Sequence, residues 1–167
     1  QKPDLVLLAG DLIDDDPRWF SQHEMEEILG QVKSTYGVYG SLGNHEYYGG
    51  KIDVLVEEMA AANVKVLMDE SIEVAPNVIV TGQEDRTNAE RLPIASLKPE
   101  NEDAFWIVMN HTPDDLKSPA EAKVDLHVSG HTHKGQMWPN NFLTSLIFEL
   151  DYGYLLKDNM HTFVSSG

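Results

Sequence analysis

Cysteine is absent from this chain of 167 residues, so neither a disulfide nor a thiolate metal site can form, and any cation must be held by oxygen and imidazole. Basic residues are scarce. Only 12 Lys and Arg stand against 28 Asp and Glu, a formal net charge of -16. Such a surface repels a polyphosphate backbone unless cations intervene, which argues against nucleic acid as a partner. Most of these carboxylates read as a solvated, solubilising surface. No apolar run approaches the roughly 20 residues of a membrane-spanning helix, and no signal-peptide pattern opens the chain. The sequence starts at Gln1, without an initiator Met and directly before an apparent core strand, and is expected to be a piece of a longer chain. Location, cytoplasmic or at a membrane, is left open, with membrane association through upstream sequence as one route.

What is present fits one domain over residues 1–167, with apolar types at 41% of composition. Leu5 to Ala9 is an unbroken apolar run ending at Gly10, the pattern of a strand buried on both faces of a layered α/β sheet. Ser21 and Glu24 form a capping-box signature, and Met25, Ile28, Leu29 and Val32 follow at helical spacing, so a helix is expected over Ser21 to Ser34. A strand through Val38-Tyr39 should lead to a loop from Gly43 to Gly50. A helix from Ile52, stopping at Asn63, follows. Val64 to Leu67, Ile72 to Val74 and Val78 to Val80 read as short paired strands. The polar stretch 83–102 leaves room for a short helix between Pro93 and Pro99. Phe105 to Met109 is another strand, and Thr112-Pro113-Asp114-Asp115 reads as a helix start. Asp125 to Ser129 is a strand, Gly130 to Gly135 a loop, and Tyr152 to Leu156 with Thr162 to Ser165 a closing hairpin.

Four segments share one layout, an apolar strand running straight into a loop rich in Asp, Asn or His. They are Gly10-Asp11-Leu12-Ile13-Asp14, Gly43-Asn44-His45-Glu46, Asn110-His111-Thr112-Pro113 and Gly130-His131-Thr132-His133. Loops at the carboxyl ends of strands gather on one edge of an α/β sheet, so these residues can converge. A carboxylate, an amide and several imidazoles form an all-N/O donor set suited to divalent Mn, Fe, Zn or related ions. The glycines before Asp11, Asn44 and His131 are read as sharp turns at each strand end.

In this order the segments resemble the GDxxD, GNHE, lone-histidine and GHxH motifs of the calcineurin-like metallophosphoesterases, over nearly the whole chain. The wording of Gly43 to Tyr48 and of Gly130 to Gln136 is similar to a bacterial subgroup of often membrane-associated phosphodiesterases. The resemblance implies a four-layer α/β/β/α sandwich, missing its first strand. It implies two divalent metal ions (Mn, Fe, Zn or Mg), with Asp11 bridging both, Asn44, His111 and His131 completing one site, and His133 contributing to the other. It further implies hydrolysis of a phosphomonoester or phosphodiester by a metal-bound hydroxide, with His45 as general acid oriented by Glu46, and Asp14 supporting the site. The substrate would be a small phosphate ester, nucleotide or lipid-linked. The family's first motif, Asp-x-His on an upstream strand, is not among these residues, and the tail Val164 to Gly167 resembles a segment that continues in relatives. This piece alone is therefore expected to fold poorly and to have doubtful activity. The competing reading is a non-catalytic metal-binding or assembly module on the same scaffold, against which the retained His45 argues.

Other residues carry weaker signals. His23, His127 and His161 lie outside the four loops and are read as surface or core histidines. Trp19, Phe20, Tyr47, Tyr48 and Trp138 lie near the loops; packing is the default for aromatics, with Trp138 singled out as a candidate substrate contact because it follows the His131–His133 loop. Arg86 is either a phosphate contact or an ordinary surface charge.

Overall fold

The computed structural model describes residues 2–166. Three parallel strands, β1 (Val6–Ala9), β2 (Val38–Ser41) and β3 (Val64–Val66), form one sheet in the order β1-β2-β3. Six strands form the other: β4 (Glu70–Ala75), β5 (Val78–Gly82), β6 (Phe105–Met109), β7 (Leu126–Ser129), β8 (Gly153–Lys157) and β9 (Met160–Val164). Their order is β4-β5-β6-β7-β9-β8, parallel from β5 through β9 and flanked by two antiparallel hairpins.

Strand alternation builds the layers. In β6, Trp106 and Val108 point to an outer core with Ile94, Leu97, Leu116 and Met160, while Ile107 and Met109 point to an inner core shared with Leu5, Leu7 and Tyr39 of the other sheet. Val38 and Val64 turn away from that inner core, toward Leu55 and Met59 of a helix. The sheets thus pack face to face with helical layers outside them, the four-layer arrangement the motifs implied.

The helices that cover the first sheet depart in part from expectation. Instead of one helix over Ser21 to Ser34, two short ones form, α1 (Arg18–Gln22) and α2 (Met25–Leu29), because Glu24 adopts a left-handed φ of 53° and breaks the chain between them. Ser21 does not cap: its hydroxyl bonds Glu58 instead. The expected loop after β2 folds into α3 (Asn44–Gly49), followed by α4 (Ile52–Ala61), which ends where predicted, at Asn63 in the left-handed region. Thr112-Pro113 starts no helix. The Thr112 hydroxyl donates to Asp85 at 2.7 Å, and α5 (Lys117–Glu121) begins later, with Asp115 accepting from the Lys117 and Ser118 N–H groups. α6 (Asn140–Ile147) lies where no element was predicted.

Candidate metal centre

The loops leaving β1 and β2 in one sheet, and β6 and β7 in the other, meet at one edge of the sandwich. His111, directly after β6, is buried. Its Nδ1 lies 2.7 Å from the Ala9 carbonyl oxygen at the end of β1. A carbonyl only accepts, so this nitrogen carries a proton and the ring turns Nε2 inward. That Nε2 is 3.0 Å from Asp11 Oδ2 and 3.2 Å from His131 Nδ1, and the same His131 nitrogen is 2.9 Å from Asn44 Oδ1. One donor atom from each of Asp11, His111 and His131 falls within 4.8 Å of the others. Four of the five predicted ligands therefore share one point.

His133 is not part of that group. It is exposed on a 3-10 turn (His133–Gly135) and lines the same cleft as Asp11 and His45.

Backbone strain holds this arrangement. Asp11 and His131 adopt left-handed φ values of 50° and 68°, uncommon for side-chain-bearing residues and concentrated at functional sites. The glycines act less uniformly than expected. Gly10 does turn through φ 79°. Gly43 has ordinary extended dihedrals; it is needed because a Cβ there would strike the Asp11 carboxylate and come within 2.8 Å of the His111 ring. Gly130 meets nothing closer than 3.5 Å, so neither reason applies to it.

Glu46 does something other than orient His45. Its buried carboxylate accepts N–H bonds from Gly43 (2.6 Å), Asp11 (3.1 Å), Leu12 (2.5 Å) and Ile13 (3.2 Å), tying the loop after β1 to the start of α3. Burial pushes its carboxyl up from the usual range, against the pull of these donors. The partners of His45 are instead Asp14 and Asp15, whose Oδ1 atoms lie 3.1 and 3.0 Å from its Nδ1. Asp15 went unnoticed in the sequence, where it is one of three consecutive aspartates. The His45 backbone N–H also donates to Asp11 Oδ1 at 3.1 Å.

Ionisation follows from this crowding. Burial opposes a charged Asp11, but the His111 hydrogen bond and charge outweigh it and hold the carboxyl below its usual range. Burial likewise opposes a charged His111, yet Asp11 and the Ala9 carbonyl raise its pKa. His131 is pushed down by burial and then by His111. For His45, burial lowers the pKa but the charges of Asp11, Asp15 and Asp14 raise it overall.

The remaining candidates separate. Trp138 is 82% exposed and does not line the cleft, whereas Trp19 and Phe20 do. Arg86 pairs with Asp114 at 3.3 Å, away from the cleft. His127 is a fully buried core residue, and His23 stacks on Trp19.

Two imidazole nitrogens and a carboxylate oxygen around one point, with an amide oxygen beside them, fit a borderline divalent cation, and the Ala9 carbonyl behind His111 is the kind of outer support that fixes a ligating tautomer. A layered α/β sandwich carrying such a donor set where its two sheets meet has the build of a metallohydrolase. The profile of the calcineurin-like phosphoesterases matches residues 1–135, and the chain belongs to that family. It is 33% identical, over its full length, to an uncharacterised metallophosphoesterase of Campylobacter jejuni, of which it covers 46%, and 29% identical to one of Aquifex aeolicus, of which it covers 66%. A Bos taurus transmembrane protein with a metallophosphoesterase domain is 26% identical over 99% of the chain and 41% of its own length. The chain thus spans about half the length of several curated relatives. In structure it resembles a Staphylococcus aureus protein designated a 5'-nucleotidase, with a TM-score of 0.58 at 15% identity over 98% of this chain and 39% of that one, a likeness of fold.

Proposed function

We propose that this protein hydrolyses a phosphomonoester or phosphodiester with the help of divalent cations. The observation that carries the reading is the convergence of Asp11, Asn44, His111 and His131 from four strand ends, with His45 at the cleft beside them. Asp11, Asn44, His111 and His131 would hold one cation, and His133 with Asp11 would contribute to a second. Such cations supply charge neutralisation for the phosphoryl oxygens and activation of water. The need is plain, since Asp11, Asp14 and Asp16 line the cleft and would by themselves repel a phosphate.

The chain's own groups then divide the work. Asp11 takes the His45 backbone N–H, which fixes the start of α3 and with it the His45 ring. Asp14 and Asp15 hold Nδ1 of that ring, leaving Nε2 to face a bound ester. As water oxygen adds to phosphorus and the ester P–O bond breaks, His45 delivers its proton to the departing alkoxide and the proton lost by the water replaces it, giving the alcohol together with phosphate from a monoester or a phosphomonoester from a diester.

The test is turnover of a dialkyl phosphodiester, whose alkoxide leaving group needs a proton, by full-length protein charged with Mn, Zn, Fe or Mg. The wild type should cleave it, and His45→Ala should lose at least about a hundredfold in kcat while calorimetry still registers metal binding. Undiminished turnover in His45→Ala, or inactivity of the wild type with every metal, would overturn the reading and favour the non-catalytic module.

A further inference from the structure

The cleft, about 1070 Å³ in volume, is not polar throughout. Beside Asp11 and His45 its wall is made by Leu12, Ile13, Trp19, Phe20 and Met25. Leu12, Ile13 and Met25 pack on the first core while still reaching the cleft. Apart from histidine, the single cation among the described lining residues is Arg18, and its guanidinium is engaged by Asp16 at 2.5 Å. No further base is free there to meet additional phosphates. One face of the Trp19 ring is taken by His23, with ring centroids 4.3 Å apart. With branched and flexible Leu12, Ile13 and Met25 in it, one Trp19 face taken and no free base beside it, this wall suits an alkyl chain better than a planar, polyanionic nucleotide.

A second observation lies on the rim. From Gly135 to Phe148 no side chain is charged, in a protein of net charge -16. This segment starts at the cleft, which Gln136 lines, and runs through exposed Met137 and Trp138 into α6. Phe142, Leu143, Leu146 and Ile147 share one face of α6, and Phe142, Leu146 and Ile147 are 63%, 68% and 72% exposed. No residue of the helix is buried. Its polar positions, Asn140, Asn141, Thr144 and Ser145, carry no charge, and the Thr144 hydroxyl is already given to Asp151 at 2.8 Å.

We infer that the substrate is a phosphate ester of a long-chain aliphatic alcohol, drawn from a lipid surface. The chain would lie along Leu12, Ile13, Trp19, Phe20 and Met25, and the apolar face of α6 would rest in the lipid boundary. This rests on the phosphoester reading above and names its substrate class. The uncharged segment that leads to α6 starts at the cleft with Gln136, and this adjacency of the two apolar features favours lipid over a protein partner, while the net charge favours neutral over anionic headgroups.

The experiment has two arms, both on the metal-charged protein. In the first, p-nitrophenyl alkyl phosphodiesters of one to ten carbons are compared below their critical micelle concentrations. Full burial of a methylene corresponds to about fourfold in affinity. In this half-open cleft, kcat/KM should rise at least tenfold from methyl to decyl, and Trp19→Ala should flatten that ratio. In the second arm, flotation with phosphatidylcholine vesicles should carry the wild type, insensitive to salt and more strongly than anionic vesicles do. The double variant Leu146→Asn, Ile147→Asn, whose fold circular dichroism checks, should stay behind. Equal kcat/KM across the series overturns the inference, as does failure to float, or a dimer that the double variant abolishes in place of vesicle binding. If no ester is cleaved with any metal, the phosphoester reading fails instead, and flotation alone then decides whether α6 meets lipid.

Discussion

The two walls of the cleft are built on opposite principles. On the inner wall, Asp11 faces the cleft, backed by Asn44, His111 and His131; all four stand at strand ends of two different sheets, and their side chains bond one another or a neighbouring carbonyl. On the outer wall, His133 and Gln136 sit exposed on a turn, and Trp138 follows them beyond the cleft on the approach to an uncovered helix. Groups whose geometry must be fixed are rooted where tertiary structure over-determines them, and groups that meet a variable ligand are carried by lightly restrained segments. Substitutions on the two walls should therefore differ by orders of magnitude.

The largest effect is expected at Gly43→Ala. The added methyl collides with the Asp11 carboxylate and the His111 ring, so the donor set must spread. Displacements of about 1 Å at a reacting centre cost on the order of a hundredfold in rate, and turnover should fall by at least that much, with weakened metal binding by calorimetry. Gly130→Ala is the control: its Cβ finds ordinary contact distances, and activity should stay within about threefold. Similar losses in both would break the contrast between a crowded and an open glycine. Glu46→Ala comes next. It strips the acceptor from four backbone N–H groups in a buried site, for a cost of about 3 kcal/mol. Thermal melting should drop by about 6 to 12 °C.

The inner wall also has a foundation that titrates. His127 lies on β7, the strand that delivers His131, and is wholly buried. Burial, with a smaller push from Arg91 and an opposing pull from Asp115, lowers its pKa to about 4. The unfolded chain binds a proton at His127 below about pH 6.5, while the folded one resists until about 4. The contribution of this group should accordingly be constant above pH 7 and fall between about 6.5 and 4, by up to about 3 kcal/mol. Urea denaturation of the wild type and of His127→Leu across that range checks it, and the variant should lose part of the slope.

Much of this was legible in the sequence, and the exceptions have causes. Local pattern suffices where one element decides its own fate: the apolar run from Phe105 to Met109, the stop at Asn63, and the four strand-to-loop junctions that place Asp11, Asn44, His111 and His131. It failed where a distant partner intervened. Ser21 and Thr112 look like caps, but Glu58 and Asp85 claim their hydroxyls. Glu46 next to His45 reads as its partner, yet folding α3 turns adjacent side chains to different sides, sending Glu46 to the loop after β1 and leaving His45 to Asp14 and Asp15. Asn44 to Gly49 lies inside the loop expected from Gly43 to Gly50 yet folds as α3, and α6 lies where the sequence shows no expected element.

Trp138→Ala, just beyond the outer wall, should have the smallest effect. A tryptophan normally loses about 3 to 5 kcal/mol on truncation in a core, but that figure presumes surrounding contacts. Here 82% of the residue is already in solvent, so melting should move by less than about 2 °C. The measurement is informative in the other direction too. A drop approaching that of Glu46→Ala would mean that the rim is covered in solution, with the apolar segment from Met137 to Ile147 packed against another surface. The cleft would then have two restrained walls, and the contrast between them would vanish.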